Sequence, residues 1–392
     1  MKKKLIRVTT ADISLDGLLK GQLKFLNQYF DVIGVAKDTG VLKDVADREG
    51  IRVVDAPLER PISLVKDIKG LWFLYRLFRK EKPWCVHANT PKGSLLAMIA
   101  AWFAGVPHRV YLVTGLRYQG AQGVLRKILK GMEVCTCFFA NKVIPEGNGV
   151  KQILQEDHIT QKELSVILNG NINGVDTDYF SPHHFTVETR IKNKPYTGSK
   201  KEIRQDLNLS EDDFVFIFIG RIVGDKGMNE LSACMKRFKK EGKNIKLLLV
   251  GRFETELDPL NAGNEDFLRT NPDVCFVGYQ TDVRPFFVAA DVLVFPSYRE
   301  GFPNVVLQAG AMGIPSIVTN INGCNEIIKN NLNGKIFPPK DEDALFREMD
   351  WCIDNKDSIN MMALQARKMI VDRYRQEEVW EATLKEYEKL EK

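Results

Sequence analysis

The stretch from Asp291 to Gly313 constrains the fold of this chain more than any other. Val292–Phe295 is a short apolar run, which is typical of a strand that is buried on both faces of a parallel sheet. A loop, Pro296–Gly301, follows this run. Pro303 then stands where a helix can begin without the loss of a hydrogen bond. The stretch therefore predicts a strand, a loop and the N-terminus of a helix.

This predicted helix N-terminus suits an anionic ligand. Its first backbone N–H groups have no partner within the helix, and the positive end of the helix dipole lies beside them, so a phosphate would be stabilised there. Glu300, at the end of the loop, can accept hydrogen bonds from hydroxyl groups, and Gln308 follows in the helix. The pattern favours a ligand that carries both phosphate and hydroxyl groups.

Two cations follow an earlier predicted strand, Phe214–Ile219. Gly220 allows a tight turn after that strand, and Arg221 and Lys226 come directly after it. Together they could neutralise a diphosphate. Taken alone, the two residues are equally well explained as solvated loop cations. In combination with the Glu300 loop they favour a diphosphate site.

Strands and helices alternate through both halves of the chain, which predicts an α/β fold with two doubly wound parallel sheets. In the first half, a strand at Leu5–Val8 is followed by a polar loop at Thr9–Gly17 and then by a helix. A length of 392 residues suits two domains. We expect domains at 1–182 and 211–370, a linker at 183–210, and a helix from about 371 to 392 that packs back on the first domain. We also expect the ligand beyond the carboxyl ends of the strands, in a crevice between the halves.

Composition excludes several other classes of protein. The chain is 44% hydrophobic and 27% charged, as in globular proteins, and its net charge of +5 falls short of the profile of a nucleic-acid binder. The seven cysteines are scattered and the five histidines have no ligand spacing, so neither a metal site nor a disulfide is predicted. The N-terminus turns polar before an apolar core develops, and no apolar run approaches the roughly 20 residues of a membrane span. We therefore expect a cytoplasmic protein.

The segment 62–81 mixes cations with large apolar residues and has two interpretations. In the first, the aromatic side chains belong to the core and the cations form a solvated face. In the second, the segment is an interfacial helix that rests on anionic lipid, with Trp72 and Phe73 at the level of the headgroups. Further cations that would extend such a basic surface are Arg117, Arg126, Lys127 and Lys130.

The second half resembles the retaining glycosyltransferases of family 4, which have the GT-B fold. The matching residues are Gly220-Arg221, Lys226-Gly227, Val277-Gly278, Ala290-Asp291, Phe295-Pro296-Ser297, Glu300-Gly301-Phe302-Pro303, Pro315–Asn325, Glu326 and Asn333-Gly334. The first half resembles the subgroup that acts on polyprenyl-diphosphate-linked sugars in polysaccharide and glycan assembly. Its matching residues are Leu18–Leu23, His87, Thr90-Pro91-Lys92, Thr114-Gly115-Leu116 and Asn173–Phe180.

The resemblance implies two Rossmann-like domains that face each other across a cleft. It implies transfer of a sugar, with retention and without a metal or other cofactor, from a nucleotide-diphosphate sugar to a lipid-linked saccharide acceptor. UDP is the expected nucleotide. The acceptor would be polyprenyl-diphosphate-linked, so the enzyme would contact an anionic membrane peripherally, at the inner face of the cytoplasmic membrane.

The resemblance also implies roles for individual residues. Arg221 and Lys226 would hold the donor diphosphate, and Glu300 would bind sugar hydroxyls; these three are the candidate catalytic residues. The other candidate donor-binding residues are Gly220, Gly278, Gly301, Phe302, Pro303, Asn304 and Gln308. The candidate acceptor-side residues are Gly17, His87, Thr114 and Gly115.

Two positions depart from the family pattern. Gln308 stands where the family usually has a glutamate that binds the nucleotide ribose, so a charge-assisted hydrogen bond is replaced by a neutral one. Thr114 stands where many relatives have a histidine. Two alternatives stay open: a UDP-sugar 2-epimerase, and a non-catalytic nucleotide-sugar-binding subunit. An NAD-dependent dehydrogenase is disfavoured because Thr9–Gly17 lacks the GxGxxG turn.

Overall fold

The computed structural model describes residues 2–59, 61–182, 190–191, 194–195, 199–254, 256 and 258–391. The chain divides into two compact units. Unit 1 comprises Met1–Gly174 and Gln376–Lys392, and unit 2 comprises Val175–Arg375. Each unit has its own sheet and its own buried apolar core.

The strands of unit 1 are β1 (Lys4–Ala11), β2 (Asp31–Lys37), β3 (Arg52–Asp55), β4 (Cys85–Ala88), β5 (His108–Val113) and β6 (Lys142–Pro145). A short antiparallel pair follows, β7 (Arg190–Ile191) and β8 (Lys194–Pro195). The sheet of unit 2 contains β9 (Phe214–Ile219), β10 (Ile245–Val250), β11 (Val274–Gly278), β12 (Val292–Phe295), β13 (Ser316–Thr319) and β14 (Gly334–Phe337).

The helices of the first half are α1 (Asp12–Leu18), α2 (Gln22–Leu26), α3 (Leu42–Glu49), α4 (Leu64–Glu81), α5 (Pro91–Phe103), α6 (Gly123–Phe139) and α7 (Asn148–Glu156). Those of the second half are α8 (Lys200–Asp206), α9 (Met228–Glu241), α10 (Asn264–Thr270), α11 (Arg284–Ala289), α12 (Asn304–Ala311), α13 (Cys324–Ile327), α14 (Glu342–Asp354), α15 (Lys356–Tyr374) and α16 (Gln376–Glu388). None of the helices in the described ranges is long and apolar enough to cross a membrane.

Both six-stranded sheets are parallel and have the same topology. The strand orders are β3-β2-β1-β4-β5-β6 in unit 1 and β11-β10-β9-β12-β13-β14 in unit 2. The direction of winding therefore reverses between β1 and β4, and again between β9 and β12. Ligands of doubly wound sheets bind at this reversal, beyond the carboxyl ends of the strands. The predicted fold class, two doubly wound parallel sheets, is confirmed.

The apolar run Val292–Phe295 forms β12, which lies in the interior of the unit 2 sheet. All four of its residues are buried, and it pairs with β9 on one side and with β13 on the other. A strand with both edges paired and both faces covered must be apolar at every position. This explains why its sequence shows a continuous apolar run without alternation.

The predicted polar loop at Thr9–Gly17 is wrong in its extent. Strand β1 continues to Ala11, and α1 begins at once with Asp12. The carboxylate of Asp12 is buried and accepts hydrogen bonds from the backbone N–H groups of Thr39 (2.7 Å) and Val41 (3.0 Å). These bonds tie the start of α1 to the loop after β2, and the paired strand is extended as a result.

The unit boundary falls after Gly174, whereas the sequence analysis expected it at 182. Within the expected linker, residues 183–189, 192–193 and 196–198 lie outside the described residues. The remainder contains α8, which belongs to unit 2 because Ile203, Leu207 and Leu209 are buried in the core of that unit. At the other end of the chain, α16 belongs to unit 1.

Candidate active site

Two loops meet at the reversal point of the unit 2 sheet. Lys226 ends a 3₁₀ turn, Gly224–Lys226, that follows β9, and Glu300 lies in the loop after β12. The Lys226 ammonium donates a hydrogen bond to Glu300 Oε1, and the two side chains are only 15% and 17% exposed. The structure therefore brings two of the three candidate catalytic residues into direct contact.

The carboxylate of Glu300 has further fixed neighbours. The hydroxyl of Ser297, which is fully buried, donates to Glu300 Oε1 at 2.7 Å. The Lys226 ammonium also lies 5.8 Å from the ring centroid of Phe295, at the end of β12. Glu300 is therefore held in position by protein groups, as a preorganised acceptor must be.

The same two loops are joined by other polar contacts. The backbone N–H of Tyr298 donates to the Asp225 carbonyl at 2.9 Å, and the Arg299 guanidinium pairs with the Asp225 carboxylate at 2.9 Å. The hydroxyl of Tyr298 donates to Glu230 Oε1 at 2.5 Å. Burial, with the adjacent Glu230 carboxylate, raises the pKa of Tyr298, so this hydroxyl keeps its proton and stays a donor.

The close approach of the loops requires glycine at position 227. Gly227 has φ = 71°, and a Cβ atom there would lie 2.1 Å from the carbonyl oxygen of Pro296. A side chain at this position would collide with backbone, which has little freedom to move. Gly227 therefore sets the distance between the Lys226 turn and the Glu300 loop.

Helix α12 begins at Asn304, one residue later than predicted, and Pro303 is its N-cap. Phe302 is buried, and its ring lies 5.6 Å from that of Tyr374. A Cβ at Gly323 would lie 2.6 Å from the carbonyl oxygen of Gly301. The segment before α12 is thus held by packing, with the helix N-terminus at the carboxyl end of β12.

A cavity of about 280 Å³ lies next to this centre, at the carboxyl ends of β9, β10 and β11. Arg221 lies on its wall, is 46% exposed, and places Nη1 3.4 Å from Glu254 Oε2. The remaining lining residues are Ile219, Gly220, Val250, Gly251, Arg252, Tyr279, Gln280 and Val283. Arg221 thus pairs with Glu254 and lies on the wall of a cavity large enough for a ring system.

Three residues of the cavity wall, Arg252, Glu254 and Tyr279, were not among the site residues predicted from the sequence. The guanidinium of Arg252 lies 4.5 Å from the ring centroid of Tyr279, which is 60% exposed. All three residues follow the ends of β10 and β11, so strand-end position was the signal that could have found them. Tyr279 also directly follows Gly278, a predicted site residue.

The two other predicted donor-side residues lie at the edge of this region. Gly278 ends β11, and its carbonyl accepts a hydrogen bond from the Gly251 N–H at 2.9 Å, which ties together the ends of β10 and β11. Gln308 is half-buried in the second turn of α12.

The acceptor-side candidates lie in unit 1, and the structure does not place His87 where a ligand could reach it. His87 is 1% exposed in β4, and its Nδ1 lies 2.5 Å from the Tyr387 hydroxyl of α16. Burial, with a smaller effect of the nearby Arg7 charge, holds the pKa of His87 well below its usual range, so the ring is neutral. His87 therefore links the sheet to α16.

The other three acceptor-side candidates lie near the carboxyl edge of the unit 1 sheet. Gly17 lies inside α1 and not in a loop as expected. Thr114 follows β5 and donates its hydroxyl to the Asn89 carbonyl at 2.8 Å, and Gly115 comes next. Thr114 and Gly115 are both partly exposed.

Comparison with known proteins agrees with this architecture. Residues 199–369 match the family model described as glycosyl transferases group 1, and residues 18–144 match the model described as glycosyl transferase 4-like. The capsular polysaccharide biosynthesis glycosyltransferase CapM of Staphylococcus aureus is 31% identical over 381 residues, covering 97% of this chain and 95% of that protein. An Escherichia coli UDP-Gal:α-D-GlcNAc-diphosphoundecaprenol α-1,3-galactosyltransferase is 30% identical over 385 residues, covering 95% and 94% of the two chains.

Solved structures share the fold over the whole chain. A glycosyltransferase from Rickettsia africae superimposes with a TM-score of 0.76 at 19% identity, covering 100% of this chain and 99% of that one. HepE of Anabaena, solved in complex with UDP-glucose, superimposes with a TM-score of 0.79 at 17% identity, covering 99% and 100% of the two chains. At these identities the likeness shows the fold alone.

Two Rossmann-like units with these strand orders define the GT-B class of glycosyltransferases. The chain belongs to glycosyltransferase family 4, as its full-length similarity to CapM and to the Escherichia coli galactosyltransferase shows.

Because Gly227 lies so close to Pro296, we predict that Gly227→Ala destabilises the protein more than the control variant Gly242→Ala. Both glycines have φ = 71° and flank α9, but a Cβ at Gly242 would meet nothing within 4 Å. Both variants incur the strain of a left-handed alanine, about 1–2 kcal/mol. Only Gly227→Ala adds the backbone collision, so thermal unfolding should show a clearly larger loss of stability for it. Equal losses for the two variants would mean that the loops do not depend on this contact.

Proposed function

We propose that this enzyme transfers a sugar from a UDP-sugar to a polyprenyl-diphosphate-linked saccharide, with retention and without a metal, in cell-surface polysaccharide assembly. The observation that carries the proposal is the Lys226–Glu300 pair at the reversal point between β9 and β12, beside the N-terminus of α12. The activities of two relatives support the choice of acceptor, since the Escherichia coli enzyme and a Campylobacter jejuni relative, 24% identical over 273 residues, are named for transfer to undecaprenol-diphosphate-linked sugars.

In this proposal the two cations bind the donor diphosphate. Each is paired with a carboxylate in the structure, Lys226 with Glu300 and Arg221 with Glu254. A diphosphate would replace these carboxylates as the partner of both cations. Glu300 would then accept hydrogen bonds from the sugar hydroxyls, while the N-terminus of α12 would stabilise phosphate charge.

The nucleoside would occupy the neighbouring cavity. Its volume of about 280 Å³ and its position at the ends of β9, β10 and β11 support this assignment. Tyr279 and Arg252 offer a ring and a guanidinium that can stack on a base. Gln308, in α12, would bind the ribose through its amide oxygen.

The proposed chemistry is a front-face displacement. The bond between the anomeric carbon and the diphosphate oxygen breaks while the acceptor oxygen bonds to the same face of that carbon. The proton of the acceptor passes to the departing phosphate oxygen, so no separate base is required. Lys226, Arg221 and the helix dipole would stabilise the charge on the leaving group, which is the electrostatic contribution that a metal makes in other enzymes.

We further propose peripheral contact with the anionic inner face of the cytoplasmic membrane. Two features of segment 62–81 support this proposal. Leu74 and Phe78 of α4 are buried in the core, whereas Trp72 is 60% exposed and is accompanied by exposed cations on the same helix. Arg117, Arg126 and Lys127 are also exposed, and such a combination suits an anionic lipid surface.

The alternative of a 2-epimerase finds less support. That reaction would require histidines and carboxylates around the sugar, and His87, the one histidine considered for this role, is buried against Tyr387.

Lys226→Ala should lower turnover about a hundredfold, because removal of one preorganised group that stabilises developing charge typically has an effect of this order. Transfer from a panel of UDP-sugars to an undecaprenyl-diphosphate-linked saccharide is the measurement. Lys246→Ala is the control, since Lys246 also pairs with a carboxylate in unit 2, that of Asp273 at 2.6 Å. Near-normal transfer by Lys226→Ala in a folded sample would refute the assignment of Lys226 to the diphosphate.

Gln308→Glu should tighten donor binding, because a hydrogen bond from the ribose to a carboxylate is about twice as strong as one to a neutral amide. Titration calorimetry with UDP would measure the change. Gln205→Glu adds the same charge at an exposed position of unit 2 and should leave the affinity for UDP unchanged. An unchanged affinity in Gln308→Glu would place the ribose elsewhere.

Reversal of two charges on α4, Lys69→Glu with Arg76→Glu, should weaken binding to phosphatidylglycerol vesicles by about tenfold or more. Each cation near an anionic surface contributes about 1 kcal/mol. The control, Lys239→Glu with Lys240→Glu on α9, makes the same change in net charge at exposed positions of unit 2. Vesicle sedimentation measures both variants, and an equal effect would mean that α4 is not the contact surface.

A further inference from the structure

An apolar groove lies between α4 and α5 on the outer surface of unit 1. It encloses about 300 Å³, at the lower end of the range for ligand pockets. Its lining residues are Ile68, Leu71, Trp72, Tyr75, Ala100 and Phe103. We call it the α4–α5 groove. Three of these side chains are unusually exposed for their type, Ile68 at 66%, Trp72 at 60% and Phe103 at 62%, and a continuous apolar surface of this kind marks a binding site.

The shape of the groove follows from the sequence of the two helices. Gly70 of α4 packs against α5, because a Cβ there would lie 3.5 Å from the Leu96 side chain. The same Cβ would lie 3.1 Å from the Pro57 carbonyl oxygen, in the loop after β3. The rings of Trp72 and Tyr75 stack at 5.4 Å and form one wall. At the base, Ala100 contributes only a methyl group. The groove is therefore a space left by a small residue between large ones.

The groove lies along the parts of α4 and α5 that are distant from the sheet edge where the acceptor would react, because Ala100 and Phe103 are in the last turn of α5. An apolar stripe on α4 connects it to that edge. Helix α4 follows β3 and α5 follows β4, so both helices begin at the carboxyl edge of the unit 1 sheet and run away from it. Leu64 and Val65, in the first turn of α4, are 78% and 67% exposed and continue the apolar surface to that edge. A chain seated in the groove could therefore follow this stripe to the carboxyl edge of the sheet, where Thr114 and Gly115 follow β5.

The charges around the groove indicate an anionic ligand. On α4, α5 and α6, whose residues are all described, every exposed charged side chain is a cation: Lys66, Lys69, Arg76, Arg79, Lys80, Arg126 and Lys127. The three carboxylates on these helices are not exposed. Glu81 and Glu133 are buried, and Asp67 is paired with Lys92. Such a surface attracts an anionic lipid and would repel a second copy of itself.

We infer that the α4–α5 groove binds the isoprenoid chain of the lipid-linked acceptor, with the diphosphate of that lipid near the surrounding cations. This inference rests on the proposed function, which supplies the acceptor. A branched, flexible, apolar chain matches the apolar lining, and its anionic headgroup matches the charge of the rim. The groove would thus take one chain out of the bilayer and direct its head toward the carboxyl edge of unit 1.

The inference can be tested with substitutions that fill the groove with larger apolar side chains and so keep its surface apolar. Ala100→Leu adds bulk at the base, and Ile68→Trp adds bulk at an exposed rim position, where it should not affect folding. Val124→Trp is the control, because it adds comparable bulk to the apolar surface of α6, at a residue that is 73% exposed and outside the groove. Undecaprenyl diphosphate in neutral detergent micelles is the probe, and microscale thermophoresis measures its binding.

Both groove variants should weaken binding of undecaprenyl diphosphate about tenfold, while Val124→Trp should bind like the unaltered protein. Unchanged binding of undecaprenyl diphosphate by Ile68→Trp would overturn the inference. Competition by phosphatidylglycerol that is as strong as competition by unlabelled undecaprenyl diphosphate would also overturn it, as would a groove variant that changes only the oligomeric state.

Thermal stabilisation by UDP is measured on the same samples. If UDP fails to stabilise the unaltered protein, the proposed function fails. If UDP stabilises every variant and the groove variants still bind the lipid, only the groove inference fails.

Discussion

The ion pair between Lys226 and Glu300 is the interaction on which the geometry of unit 2 at its reversal point depends. Both side chains are largely removed from water, and either charge left alone would carry a substantial desolvation penalty. Their contact holds the loop after β9 against the loop after β12. The Asp225 contacts and the close approach of Gly227 to Pro296 require the same alignment. In the proposed function, the donor diphosphate would take the place of Glu300 beside Lys226.

Much of this arrangement could be predicted because its signals are local. A strand buried on both faces appears as an apolar run, and Val292–Phe295 was recognised in this way. Lys226 and Glu300 directly follow strands that are neighbours in a doubly wound sheet, so strand order alone brings them to one edge. Arg252 and Tyr279, at the adjacent cavity, were missed because neither residue is part of a matching motif, although each directly follows a glycine at the end of a strand.

Other features could not be read from the sequence because their causes are distant along the chain. The start of α1 at Asp12 depends on hydrogen bonds that the Asp12 carboxylate accepts from backbone N–H groups of the loop after β2. His87 was predicted to lie on the acceptor side, but its partner, Tyr387, comes 300 residues later in the chain. The same tyrosine lies 3.3 Å from the buried guanidinium of Arg7. No pattern near His87 predicts that a C-terminal helix covers it.

The two cations of the site differ in a way that matters for the proposed chemistry. Lys226 is 15% exposed, pairs with the partly buried carboxylate of Glu300 and lies 5.8 Å from the ring centroid of Phe295, so protein groups hold it in place. Arg221 is 46% exposed, and its contact with Glu254 is long, at 3.4 Å, so the pair contributes little stability. A cation held by protein groups stabilises developing charge without reorganisation, whereas an exposed cation with a weak partner has few contacts that oppose its rearrangement around a leaving group. The proposed transfer would use both properties, with Lys226 as the preorganised charge and Arg221 as the adaptable one.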